Sequence, residues 1–125
     1  FANYTYTFGQ NITQGVRLDH IPPMYGMIGI NADISKWMIN TNIKFNGAKS
    51  LEFYGPIGSE DNLEYALPTG TPGWWTLNAS AKYQWTTAFQ LHFGIENLFD
   101  LHYRPFSSTI SAPGINFIVG MRGEF

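Results

Sequence analysis

The sequence predicts an all-β fold: antiparallel, up-and-down strands of a membrane-spanning β-barrel. Three observations predict it. Apolar and polar residues alternate with a period of two in six separate segments. Short turns alternate with long connections rich in Gly, Pro, Ser and Asn. The charges of the strands fall on one face, while aromatic rings collect at both ends of the other.

The strands follow in chain order. Segment 1–8 sets Ala2, Tyr4, Tyr6 and Phe8 against Asn3, Thr5 and Thr7. Segment 24–33 sets Met24, Gly26, Ile28, Ile30 and Ala32 against Tyr25, Met27, Gly29, Asn31 and Asp33. After a short turn, segment 37–45 sets Trp37, Ile39, Thr41, Ile43 and Phe45 against Met38, Asn40, Asn42 and Lys44. Segment 75–85 sets Trp75, Leu77, Ala79, Ala81, Tyr83 and Trp85 against Thr76, Asn78, Ser80, Lys82 and Gln84. A second short turn leads to segment 89–96, with Phe89, Leu91, Phe93 and Ile95 against Gln90, His92, Gly94 and Glu96. The last segment, INFIVGMRGEF, sets Ile115, Phe117, Val119, Met121, Gly123 and Phe125 against Asn116, Ile118, Gly120, Arg122 and Glu124. Stretches 9–23, 46–74 and 97–114 are the long loops. Long loops at one end and tight turns at the other is the pattern of an outer-membrane barrel.

Antiparallel strands place Trp37, Tyr83, Trp85, Phe89 and Phe125 at the short-turn end and Phe45, Trp75 and Phe117 at the long-loop end. Rings gather at the two water–lipid boundaries because they join an apolar body to a polar edge. Between the belts only Thr41 is clearly polar. Leu77→Arg or Val119→Arg is expected to cost roughly 2–4 kcal/mol in a bilayer, and Asn78→Arg far less. A soluble β-domain that binds a ligand would bury the apolar face as a core, but gives no reason for two belts. A passive outer-membrane channel or structural barrel would share them.

Composition narrows the classes further. Charged residues are 13% of 125, the net charge is -2 and aromatics are 17%. The scattered Lys and Arg argue against nucleic acid as a partner. There is no cysteine, so no disulfide or thiolate metal site. No apolar run is long enough for a spanning helix. Phe1 already stands in the strand pattern FANYTYTF, so residues 1–125 read as the end of a longer barrel.

No residues suggest catalysis or a cofactor. His20, His92 and His102 have no metal-ligand spacing. Ser59, Glu60, Asp61, Asn62 and Glu64 offer oxygen ligands for a weak Ca²⁺ site, but lack the glycine of the twelve-residue calcium loop and read rather as a solvated loop. Lys44, Lys82, His92, Glu96 and Arg122 face the interior, as hydrogen-bonding wall or plug contacts. Tyr54, Tyr65, Trp74 and Tyr103 stand in or beside the long loops, where rings can grip a ligand.

The stretches RLDHIPPMYGMIGI, GTPGWWTLNASAKYQW, GIENLFDLHYRP and SAPGINFIVGMRGEF resemble, in order and spacing, the C-terminal part of TonB-dependent outer-membrane receptors. Asn97, Leu98, Phe99, Asp100 and Tyr103 match the family's Asn-Leu-Phe-Asp element and following Tyr; Pro113 and Gly114 match its Pro-Gly, with Ile115 where the family has Arg. The resemblance implies the last six or so strands of a roughly 22-stranded barrel in the bacterial outer membrane. It also implies a plug outside this chain and energy from the TonB complex. Cargo would be a scarce nutrient: siderophore-iron, haem, cobalamin or saccharide. Phe125 would be the signal read by the barrel-assembly machinery.

Overall fold

Residues that alternate in this way form strands because the pleat turns successive side chains to opposite faces. The computed structural model describes residues 1–18, 20–55 and 67–124, and among them are eight strands, six of them in the alternating segments. Strands β1 (Ala2–Thr5), β4 (Tyr25–Ile34), β5 (Trp37–Asn46), β6 (Trp74–Gln84), β7 (Phe89–Glu96) and β8 (Asn116–Gly123) make one six-stranded sheet. Its order is β1-β4-β5-β6-β7-β8, every neighbour antiparallel. Strands β2 (Gln10–Asn11) and β3 (Val16–Arg17) pair as a small separate hairpin, and Leu51–Phe53 forms a single 3-10 turn. Stretch 9–23, expected as loop throughout, thus contains this hairpin; two-residue strands are too short for periodicity to reveal.

Segment 1–8 is paired only over Ala2–Thr5. The register explains the shortening. Thr5 lies opposite Tyr25, so continuation would set Thr7 and Phe8 against Pro23 and Pro22. Proline has no N–H to give to a ladder. The tight turns fall where expected. Ile34 and Trp37 close a hairpin in which Ser35 takes φ 55°. In the other, Thr86 Oγ1 accepts the N–H groups of Ala88 (3.2 Å) and Phe89 (3.1 Å).

The two faces differ in kind. One carries the polar members: Asn31, Asn40, Asn42 and Asn78 are hydrogen-bonded to one another, so they share a side. On the other, Trp37 packs on Tyr83 with ring centroids 4.7 Å apart. Ile39, Ala79, Ala81, Phe93 and Ile95 line a shallow depression there. Among the described residues no second layer covers this apolar face: Ile30, Phe117, Val119 and Met121 remain 67–78% exposed. A soluble sandwich would bury these side chains against a second sheet. The only buried apolar side chain among the described residues is Tyr54, which lies in a loop.

Candidate functional site

The long loops meet at one end of the sheet, and their polar side chains hold one another. In loop 47–73, Lys49 and Thr71 form a backbone bridge, and Gly70 turns the chain at φ 106°. A Cβ on Gly70 would lie 2.1 Å from the Lys49 carbonyl oxygen, so only glycine fits. Lys49 is 5% exposed. Its Nζ donates to the Ile21 carbonyl at 2.9 Å and stands 4.6 Å above the Tyr54 ring and 4.5 Å above the Phe106 ring. One ammonium therefore joins all three long loops. Buried in this way, it is held by a carbonyl and two ring faces. The Tyr54 hydroxyl bonds the Thr71 hydroxyl.

Loop 97–115 begins with two residues in left-handed backbone, Asn97 (φ 50°) and Asp100 (φ 52°). Asn and Asp tolerate this conformation because their short polar side chains bond locally. Here Asn97 Nδ2 donates to the Leu101 carbonyl (2.9 Å) and the Pro113 carbonyl (3.2 Å), and its Oδ1 accepts the Leu101 N–H (3.0 Å). Asp100 Oδ1 accepts the Ile115 N–H at 2.8 Å. Higher in the loop, Ala112 N–H donates to the Tyr103 carbonyl (2.9 Å) and His102 Nε2 bonds Ser111 Oγ (3.0 Å).

Between loops 47–73 and 97–115 lies a cavity of about 270 Å³. Trp74, His102, Tyr103, Arg104, Phe106 and Ser111 are among the residues that line it. The Trp74 and Tyr103 rings are stacked there, centroids 4.1 Å apart and tilted by 35°. Trp74 Nε1 is buried with no hydrogen-bond partner among the described residues. Burial, and secondarily the negative charge of Glu96, push the Tyr103 phenol above its ordinary range, so it stays a neutral donor. The described lining contains no Asp, Glu, Cys or Met. Its wall is mostly apolar, rings with a few polar groups among them, which suits an organic ligand.

The structure gathers some of the sequence-predicted residues and separates others. Trp74 and Tyr103 stand together at the cavity, whereas Tyr54, 6% exposed, packs in the Lys49 cluster. Lys82 and His92 lie directly opposite on β6 and β7, and Lys44 opposite Thr76. Glu96 Oε2 accepts from Asn116 Nδ2 at 3.4 Å, and Arg122 pairs with Glu124 in an exposed ion pair. Tyr65, Phe125 and the acidic stretch Ser59–Glu64 lie outside the described residues. No cluster of three or more potential metal ligands occurs among the described residues. Sequence reasoning assigned no role to Lys49, placed Asn78 only as an inward amide, and marked Asn97 and Asp100 only as members of the family element. The readable signal for the last two was Asn and Asp three positions apart in a loop, a pattern for left-handed turns.

Comparison with known proteins bears on the same elements. One solved structure similar to this chain is titled "Copper transporter OprC", with a TM-score of 0.81 at 20% identity. The match covers 99% of this chain and 20% of that one, so the chain spans a fifth of that structure's length. An unclosed sheet is what a part of such a barrel presents. No curated protein matches the sequence. The profile of the TonB dependent receptor-like β-barrel family matches residues 1–98, through all but the last strand. On that match the chain belongs to the TonB-dependent receptor β-barrel family.

Proposed function

We propose that residues 1–125 are wall and extracellular loops from the C-terminal part of an outer-membrane transporter that imports a scarce nutrient with energy from TonB. The apolar face would meet lipid. The amide face would line the lumen, where Lys44, Lys82, His92, Glu96 and Arg122 meet water or a plug supplied by the rest of the protein. The loop cavity would capture cargo, and rearrangement of the plug, driven through TonB, would admit it. The chain would carry out no catalysis, and Phe125 would serve the assembly machinery.

The observation that carries this reading is the stacked Trp74–Tyr103 pair at a cavity between two long loops. It sits at the end of the sheet that carries the long loops, which this reading assigns to the exterior of the cell. Rings with a few polar groups among them favour an organic cargo such as a siderophore complex, haem, cobalamin or a saccharide. The described lining is a poor match for a bare metal ion, with His102 as its one imidazole and no thiolate or carboxylate.

The test is uptake by cells carrying the full-length receptor. Radiolabelled siderophore-iron, haem, cobalamin and oligosaccharides are offered in turn, with and without TonB. One class should enter in a TonB-dependent manner. Trp74→Ala and Tyr103→Ala should each weaken binding of that class by about 10-fold or more, the loss expected for one stacked ring. TonB-independent leakage of every probe would overturn the transport reading. Undiminished binding in both variants would overturn the cavity assignment.

A further inference from the structure

Five asparagines form a continuous line of hydrogen bonds from the middle of the sheet to the base of loop 97–115. Asn40 Nδ2 donates to Asn31 Oδ1 (2.7 Å), Asn42 Nδ2 to Asn40 Oδ1 (2.7 Å), and Asn78 Nδ2 to Asn42 Oδ1 (3.2 Å). The backbone N–H of Asn97 then donates to Asn78 Oδ1 (3.0 Å). Every link points the same way, so each amide polarises the next. The two links nearest the loop are the most enclosed: Asn78 is 6% exposed and Asn97 4%.

The position of these two explains what they do. The β6–β7 ladder ends at Ala79 opposite Ile95, yet β6 runs on to Trp74. Asn97 enters left-handed backbone and takes the chain off the ladder. Its N–H is buried and needs an acceptor. Asn78 Oδ1 supplies one, and the next N–H, of Leu98, donates to the Leu77 carbonyl at 3.0 Å. A side chain and a carbonyl thus replace the missing rungs. The Asn97 side chain then ties Leu101 to Pro113, drawing the two arms of the loop together. The arms so joined carry His102, Tyr103, Arg104, Phe106 and Ser111 to the cavity. Four residues before Asn78 on β6 stands Trp74, the ring on which Tyr103 stacks.

We propose that Asn78 and Asn97 are positioning residues for the cargo cavity. Asn78 fixes the first turn of loop 97–115 to β6, and Asn97 fixes the loop's width, so that Tyr103 meets Trp74. The link from position to cargo rests on the proposed transport function; the link from Asn78 to loop order does not.

The test reads loop order first. The full-length receptor in native outer membranes carries a nitroxide on Ile110→Cys, at a site 75% exposed in the same loop. The exposed label makes no tertiary contact, so its slow component reports order of the loop backbone, and the parent should show one. Asn78→Ala and Asn97→Gly should lose the immobile component and show nanosecond tumbling. Glycine keeps the left-handed backbone, so its effect isolates the side-chain bonds. Asn40→Ala, two links farther away, should leave the parent spectrum unchanged. Barrel folding is checked by heat-modifiable migration; if Asn78→Ala does not assemble, Asn97→Gly decides. An immobile label in assembled Asn97→Gly, or in assembled Asn78→Ala, would overturn the proposal. A mobilised loop with unchanged nutrient binding would leave the positioning role standing and remove the cavity's role in capture.

Discussion

Arginine placed at successive outward positions of β6 should report depth in the bilayer. Trp75 and Trp85 bound the apolar face of this strand, ten positions apart. With a rise of about 3.4 Å per residue and a tilt near 40°, each residue climbs roughly 2.6 Å, so the belts lie about 26 Å apart. That equals the apolar band of an outer-membrane barrel, about 25 Å. Leu77 then sits about 5 Å inside the upper belt, while Ala79 and Ala81 lie within about 3 Å of the midplane. Ala79→Arg and Ala81→Arg should cost about 2–4 kcal/mol each; Leu77→Arg, expected from the sequence to cost as much as a mid-depth site, should cost only about 1–2, since the penalty falls toward the interface. Alanine is the informative parent because little packing is lost with its methyl. Ser80→Arg, between the two, faces the amide side and should cost under about 1 kcal/mol. Asn78 is unsuited as the inward control, because its side chain is buried and bonded to Asn97. Urea-driven folding of the full-length receptor into lipid vesicles measures all four. Equal costs at 77, 79 and 81, or a Ser80→Arg penalty matching its neighbours, would refute the assignment of faces.

Tyr103 should titrate above the ordinary phenol range, read as the tyrosinate absorbance missing from Tyr103→Phe. The fold favours the neutral phenol, so its contribution is full below the ordinary range and is lost as pH rises through the raised value. Glu96→Gln should lower that value only in part, because burial is the larger cause. Lys49→Met keeps the stem but removes the ammonium shared by Ile21, Tyr54 and Phe106, and should cost about 1–3 kcal/mol. Faster cleavage of loop 9–23 by external protease checks it. Gly114→Ala would set a methyl 2.2 Å from Asp100 Oδ1 and break its bond to Ile115, costing about 1–2 kcal/mol in thermal unfolding. In an Asp100→Ala background the same change should cost little, since the two share one contact.

The sheet was legible because its signal is repeated and local. Period-two alternation gave β4, β5 and β7 to within a residue, since each side chain reports its own face. The register sets Trp37 opposite Tyr83 at the short-turn end and Phe45 opposite Trp75 at the long-loop end, as the alternation implies. The cavity was not legible. It depends on loop residues far apart in sequence, such as Trp74 and Tyr103, whose approach is set by side-chain bonds at 78, 97 and 100. Periodicity treats Asn78 like Asn40 or Asn42, one inward amide among several. Only the end of the β6–β7 ladder makes it different, and register is a property of pairs of strands. Lys49 was missed for a related reason: a lone Lys in a loop reads as solvated until two rings and a carbonyl close on it.

The open edges complete the physical account. Among the described residues β1 pairs only with β4 and β8 only with β7, so each leaves one row of backbone groups outside the sheet. In hydrocarbon each unpaired N–H or C=O costs several kcal/mol. Over the eight residues of β8 the total reaches tens of kcal/mol, more than a whole domain's net stability. The apolar face, meanwhile, keeps Phe117, Val119 and Met121 out of water only if lipid covers it. Lipid on the face and no solvent at the edges are compatible only when further strands close the sheet. The edge of β8 is suited to that. Asn116–Gly123 has no proline and an uninterrupted ladder to β7, so its free side offers the same regular row to the strand that seals the barrel.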